Sequence, residues 1–229
     1  MTPSTAWSVP FWWQNTLSGL LLLKSQPYSN LRVRKTVAAD HVRVRKLHRL
    51  DFSGLAENAY GWWKITNGQV DFSYVGYEQN GSNWWYVYGG QVCFQATDVL
   101  PGTVGGQYGW WKVCEGKVNF DDDVCENAYG WWKITTGKVD FQYTGLAQNA
   151  CGWWMIQNGH VNFGSNGLVD NGNGWWLVKN GGVDFNYNGL VDNGNGWWLV
   201  KNGCVDFSYQ GYVQNECGVW WVSNGQVQF

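Results

Sequence analysis

A chain of 229 residues has room for one large or two small domains, and charged side chains supply only 14% of it, where globular domains carry about 25%. Gly accounts for 31 residues and Trp for 19, and pairing the absent side chain with the bulkiest one suits tight-turned β-hairpins and argues against helices. The formal net charge of −2 provides no basic field for a polyphosphate, which argues against a nucleic-acid partner, and no apolar run reaches the ~18 residues of a membrane-spanning helix.

Taken in chain order, residues 1–52 come first and differ from the rest. They carry eight Lys or Arg against two acids, whereas the remainder carries seven against fifteen. The short apolar run from Leu17 to Leu23 is followed, not preceded, by the basic Lys24, the reverse of a secretory signal. Trp12-Trp13 and Asp51-Phe52 look like repeat fragments but are out of register with the units from residue 53 onward. This segment is expected to be poorly ordered and to stand outside the array.

From residue 53 to 229 the chain is periodic. Adjacent aromatic pairs fall at 62-63, 84-85, 110-111, 131-132, 153-154, 175-176, 197-198 and 220-221, in steps of 22, 26, 21, 22, 22, 22 and 23 residues. Two successive units beginning at Gly167 and Gly189 are nearly identical and serve as the internal consensus. The longest step holds extra residues around Val99-Leu100-Pro101-Gly102, and in the last unit Val219, not Trp220, occupies the first Trp position. A fixed period of this length signals a repeat architecture. Each unit reads as a hairpin: Trp-Trp-x-Ile/Val runs into a turn, which is Asn-Gly in five of them (Asn67-Gly68, Asn158-Gly159, Asn180-Gly181, Asn202-Gly203, Asn224-Gly225), and Val-x-Phe leads out. Asn-Gly accepts positive φ at both central positions of a two-residue hairpin turn. A lone hairpin cannot bury its apolar face in water, but stacked copies can. The expected fold is all-β: a β-hairpin repeat solenoid of about eight 22-residue units.

Strand alternation sorts the side chains. The second Trp, the following Ile or Val, and across the turn Val70 and Phe72 share the expected core face. The first Trp shares the other face with a variable position (Lys64, Tyr86, Lys112, Lys133, Met155, Leu177, Leu199) and with the residue between Val and Phe. An indole beside a carboxylate can stack on a sugar ring and hydrogen-bond its hydroxyls. The candidate binding residues are therefore Trp62, Trp84, Trp110, Trp131, Trp153, Trp175 and Trp197, with Trp221 standing in for Val219, and Asp71, Asp140, Asp184 and Asp206.

Gly-Leu/Tyr, then Gly-Trp-Trp, Asn-Gly and Val-Asp-Phe together resemble the choline-binding and glucan-binding repeat superfamily of Gram-positive bacterial surface proteins, above all a variant in surface proteins of gut clostridia. The resemblance covers residues 53 to 229. It implies hairpins wound into a left-handed solenoid, with aromatic cages between neighbours that hold choline groups or sugars of cell-wall polymers. In the choline-binding pattern a Trp follows the leading Gly of the repeat, but here that position is Leu55, Tyr77, Leu146, Leu168, Leu190 or Tyr212. Each aromatic wall contributes roughly 0.5 to 2 kcal/mol to holding a quaternary ammonium. One wall fewer favours sugars over choline.

Other chemistry finds little support in the sequence. His41, His48 and His160 assemble no triad or metal site, so no catalytic residues, metal or cofactor are expected. The stretch Asp170-Asn171-Gly172-Asn173-Gly174 puts Gly where a calcium loop needs oxygen side chains and reads as a polar turn. The triplet Asp121-Asp122-Asp123 reads as a solvated loop. Cys93, Cys114, Cys125, Cys151, Cys204 and Cys217 occupy unmatched repeat positions and make no disulfide framework. The expected function is a non-catalytic, extracellular or cell-surface module that binds a cell-wall polymer or polysaccharide. The alternative is a structural stalk whose Trp residues only pack.

Overall fold

A computed structural model describes residues 51–229. The expectations for the basic segment, including its order and the roles of His41 and His48, lie outside the described residues. Every regular element between Gly54 and Gln228 is a β-strand, and all are antiparallel. In the first repeat β1 (Gly54–Asn58) pairs with β2 (Gly61–Thr66), which pairs through a tight turn with β3 (Gln69–Val70). The second repeat repeats the plan with β4 (Gly76–Asn80), β5 (Asn83–Tyr88) and β6 (Gln91–Val92). The same triplet recurs to the last one, which ends in Gln226–Gln228.

The turns follow from Asn-Gly as expected. Asn67 has φ 49° and Gly68 φ 76°, and Asn158, Asn180, Asn202 and Asn224 lie within 3° of 49°. Both central residues are thus left-handed, the conformation a primed hairpin turn requires. The turn glycine is also a point of close approach, since a Cβ on Gly203 would stand 2.5 Å from the Asp184 carbonyl oxygen. Its amide donates backward across the junction: Gly68 N to Phe52 O at 2.8 Å, Gly159 N to Tyr143 O at 2.8 Å, Gly181 N to Ser165 O at 2.9 Å, Gly203 N to Tyr187 O at 3.0 Å and Gly225 N to Tyr209 O at 3.2 Å. In the other direction Lys64 N donates to Gly90 O at 2.8 Å, and Trp63 stands opposite Gln91 in β6. Each hairpin is therefore bonded to its neighbours by backbone as well as by side chains.

Hairpins are buried on both faces, which corrects the expectation of one core face and one polar face. The expected core positions Val87, Ile134, Ile156, Val178, Val200 and Val222 are fully enclosed. The opposite face is enclosed too, through Tyr77, Tyr86, Lys64, Lys133, Leu146, Leu177, Leu190 and Leu199. The reason is the stacking itself. Leu177 packs with Val200 and Val205 of the next unit, Leu190 and Leu199 with Val222 and Val227, and Tyr77 and Tyr86 with Val113 and Val118. One face of each hairpin meets the opposite face of its successor, so an interior hairpin loses both to its neighbours. Lysine fits the inner position because its methylene stem lies in the core while the ammonium reaches the rim, where Lys64 pairs with Glu78 at 2.7 Å and Lys112 with Asp123 at 2.7 Å.

Phe72 and its equivalents, expected in the core, are instead about half exposed. The closing strand ends at Val70, so Phe72 lies beyond the ladder and strand alternation no longer decides where it points. The aspartate triplet is also more than a solvated loop: Asp123 pairs with Lys112, and Asp122 pairs with Lys133 at 3.3 Å while accepting from Thr136 N at 2.7 Å. All six cysteines are free thiols, and burial, aided by the neighbouring Asp123, pushes Cys125 up to about 12.

Candidate ligand-binding junctions

The first Trp of a repeat ends up at the seam between two hairpins. Trp62 meets Trp85 of the next repeat at 5.3 Å between ring centroids and Phe94 at 6.0 Å, and Trp85 and Phe94 lie 5.3 Å apart. The same triangle recurs as Trp131–Trp154–Phe163, Trp153–Trp176–Phe185 and Trp175–Trp198–Phe207, with first-to-second Trp separations of 5.1, 5.7 and 4.8 Å. Tilted and edge-on geometries prevail, as expected of aromatic pairs. In each triangle one indole comes from one hairpin, and a second indole and a phenyl ring come from its successor. The phenyl ring supplies a third wall that the sequence pattern lacked at the position after the leading Gly, which is core.

Other junctions depart from this plan. Trp110 meets Trp132 at 5.5 Å and Tyr129 at 5.6 Å. Trp84 packs on the core cluster around Tyr77 and Trp111. Trp197 is among the more exposed large side chains, and Trp221 stacks edge-on against the exposed Tyr212 at 5.0 Å.

In four repeats the second indole is aimed by an asparagine four residues upstream of the first Trp position, whereas the buried Nε1 of Trp85, Trp176 and Trp198 has no hydrogen-bond partner. Trp63, Trp132, Trp154 and Trp220 donate from Nε1 to Oδ1 of Asn58, Asn127, Asn149 and Asn215 at 2.9 to 3.1 Å. Trp111, in the hairpin with the insertion, donates to the Gly102 carbonyl at 3.1 Å instead. The sequence pattern put the phenylalanine in the core and gave this asparagine no role, although Asn at that spacing recurs in the sequence as regularly as Trp.

The candidate aspartates sit at the start of the connectors, each directly before a phenylalanine, and Asp184 and Asp206 precede the triangle residues Phe185 and Phe207. Asp71, Asp140, Asp184 and Asp206 each accept the backbone N–H two residues on, from Ser73, Gln142, Asn186 and Ser208, at 3.0 to 3.1 Å. Their second oxygens accept from Thr66, Thr135, Lys179 and Lys201. The Ser73 hydroxyl holds Asp71 below the usual carboxylate range, and the Lys179 and Lys201 ammonium groups do the same for Asp184 and Asp206. Lys179 and Lys201 also lie over Tyr187 and Tyr209 at 4.4 and 4.3 Å. The aspartate thus closes an Asx turn that returns the chain to the next hairpin.

An antiparallel hairpin stack with aromatic junctions defines a class of repeat protein, and comparison narrows it. Residues 51–71, 73–93, 142–162, 164–184 and 186–206 each match the family model of the choline-binding repeat. Five segments of the array are thus similar to the choline-binding repeat. Among solved structures it is similar to choline binding protein F from Streptococcus pneumoniae, at 17% identity over 73% of this chain and 55% of that one, with a TM-score of 0.32. A structure of CbpF in complex with ipratropium gives the same identity and TM-score over 73% of this chain and 57% of that one. The chain thus spans little more than half the length of these structures. No curated protein matches it in sequence. Among the described residues no helix is long and apolar enough to cross a membrane.

Proposed function

We propose that the array is a non-catalytic attachment module at the cell surface, whose junctions bind quaternary ammonium groups of the choline type carried by a cell-wall polymer. The observation that carries this reading is the repeated convergence of two indoles and a half-exposed phenyl ring from consecutive hairpins. A quaternary ammonium cannot hydrogen-bond and is held by ring faces, each worth roughly 0.5 to 2 kcal/mol. The match to choline-binding repeats supports the same ligand class. The connector aspartates, already bonded to backbone and to Thr or Lys, favour this reading over the sugar site in which they would hold hydroxyls.

A second reading has an observation of its own. First and second indoles approach to 4.8 to 5.7 Å across the junctions, which is packing distance, and a purely structural spacer would need no more. Retention of the chain on an immobilised choline resin, with elution by free choline, separates the readings. Phe163→Ala and Trp131→Ala should each weaken retention while the β-sheet infrared signature persists. Binding to a glycan array without choline retention would favour sugars instead, and binding to neither would leave the spacer.

A further inference from the structure

Directly across its hairpin from each first Trp stands a residue the ligand would feel. The register opposes Glu57 to Trp62, Gln79 to Trp84, Pro101 to Trp110, Glu126 to Trp131, Gln148 to Trp153, Asp170 to Trp175 and Asp192 to Trp197. Directly opposed residues project from the same face with Cβ atoms roughly 4.5 to 5.5 Å apart. The four carboxylates are all exposed. The side chains of Glu57 and Glu126 enter no hydrogen bond or ion pair among the described residues. Asp170 and Asp192 use Oδ1 to accept from Gly172 N and Gly194 N at 2.8 and 2.9 Å and leave Oδ2 unengaged.

Acids are depleted in strands, and these four do nothing for Lys64, Lys133, Lys179 and Lys201 of their own hairpins, whose partners are Glu78, Asp122, Asp184 and Asp206. Their shared feature is the indole they face. Of the four complete ring triangles, three carry an acid at this position (Glu57, Glu126, Asp170) and one carries an amide (Gln148).

We propose that this cross-strand residue sets the ligand preference of each junction. Acid-bearing triangles favour a quaternary ammonium whose surroundings are free of negative charge, and the Gln148 triangle takes phosphocholine, with its anionic phosphate monoester, as readily as choline. The inference rests on the reading that the triangles hold such cations. A carboxylate about 4 to 6 Å from the ammonium in a water-like dielectric favours it by roughly three- to fivefold, and it repels a neighbouring phosphate over similar distances. Salt shortens the reach of both effects.

The test is calorimetric titration of the whole chain with choline chloride and, separately, with phosphocholine. For the unaltered chain choline should bind more tightly than phosphocholine by roughly three- to fivefold at low salt, with the ratio shrinking as salt is added. The triple variant Glu57→Gln, Glu126→Gln, Asp170→Asn should keep its capacity for choline while the ratio falls toward one. Asn at 170 retains an acceptor for the turn, so the hairpin is preserved. Gln148→Glu, a single exposed change, should move the ratio the other way. Binding with a ratio that none of these changes alters overturns this assignment alone. Absence of binding heat with either compound overturns the cage reading and this assignment together.

Discussion

Ile156 has no exposed surface because the outer face of the preceding hairpin, through Val124, closes over it. Ile156→Ala should therefore leave a cavity that the rigid seam cannot collapse, at a cost of about 2 to 5 kcal/mol read from thermal or denaturant unfolding. Phe163, half exposed at the rim, should cost far less when truncated. Tyr86 makes a second test at this scale. Burial, reinforced by Cys93, Tyr88 and Asp98, pushes its phenol up to about 12, above the ordinary value near 10. A raised phenol contributes stability that is fully present below pH ~10 and lost as pH climbs toward the folded value, about 2 to 3 kcal/mol for this group. Unfolding midpoints should fall across that alkaline window, and Tyr86→Phe should flatten the fall.

At the scale of the hairpin, the parts legible in the sequence were those fixed by local backbone chemistry. Asn-Gly specifies its turn whatever surrounds it, and the β-branched residue after the second Trp lies mid-strand where alternation holds. Alternation failed at Phe72 because the closing strand is only two residues long. The variable inner face misled for a different reason. Lys64, Tyr86 and Leu177 look unlike one another, yet all fit beneath a neighbour, since lysine contributes its stem and exports its charge. The aspartates were legible as polar and recurrent, but their bond to the backbone two residues on looks the same in sequence as a ligand contact. Asn149 joins all these levels: it caps Cys151 N, accepts from Trp154 Nε1 and donates to Val124 O of the preceding repeat at 2.9 Å. Asn149→Ala should destabilise by about 1 to 3 kcal/mol, because the half-buried Trp154 indole N–H and the Val124 carbonyl both lose their partner. It should also weaken choline retention by loosening the Trp131–Trp154 pair, whereas a change confined to stability would leave retention of the folded chain intact.

For the array as a whole, stability is a sum over hairpins and seams, and attachment to a polymer is a product over occupied junctions. Holding one junction raises the effective concentration of ligand at the next, so avidity can exceed single-site affinity by ~10² to 10⁴. Successive removal of Phe94, Phe163, Phe185 and Phe207 should lower the stoichiometry for free choline in equal steps. Retention on a choline-bearing polymer should instead collapse after the first two or three changes. Equal steps in both measurements would show that the junctions act independently even on a polymer.

The backward hydrogen bond of the turn glycine also bears on how the molecule ages. Asn-Gly is the sequence most prone to spontaneous deamidation, in which the glycine nitrogen attacks the asparagine carboxamide, closes a succinimide and releases ammonia. In the five Asn-Gly turns that follow the Trp-Trp strands that nitrogen is already committed to a backbone carbonyl of the preceding segment, within a left-handed backbone conformation at both turn residues. The folded array should therefore keep Asn67, Asn158, Asn180, Asn202 and Asn224 through long incubation at neutral pH, while the unfolded chain should accumulate aspartate and isoaspartate at these five positions. Peptide mapping of the two samples would read this directly, and equal conversion in both would mean that the seams open often enough to leave the turns chemically unguarded.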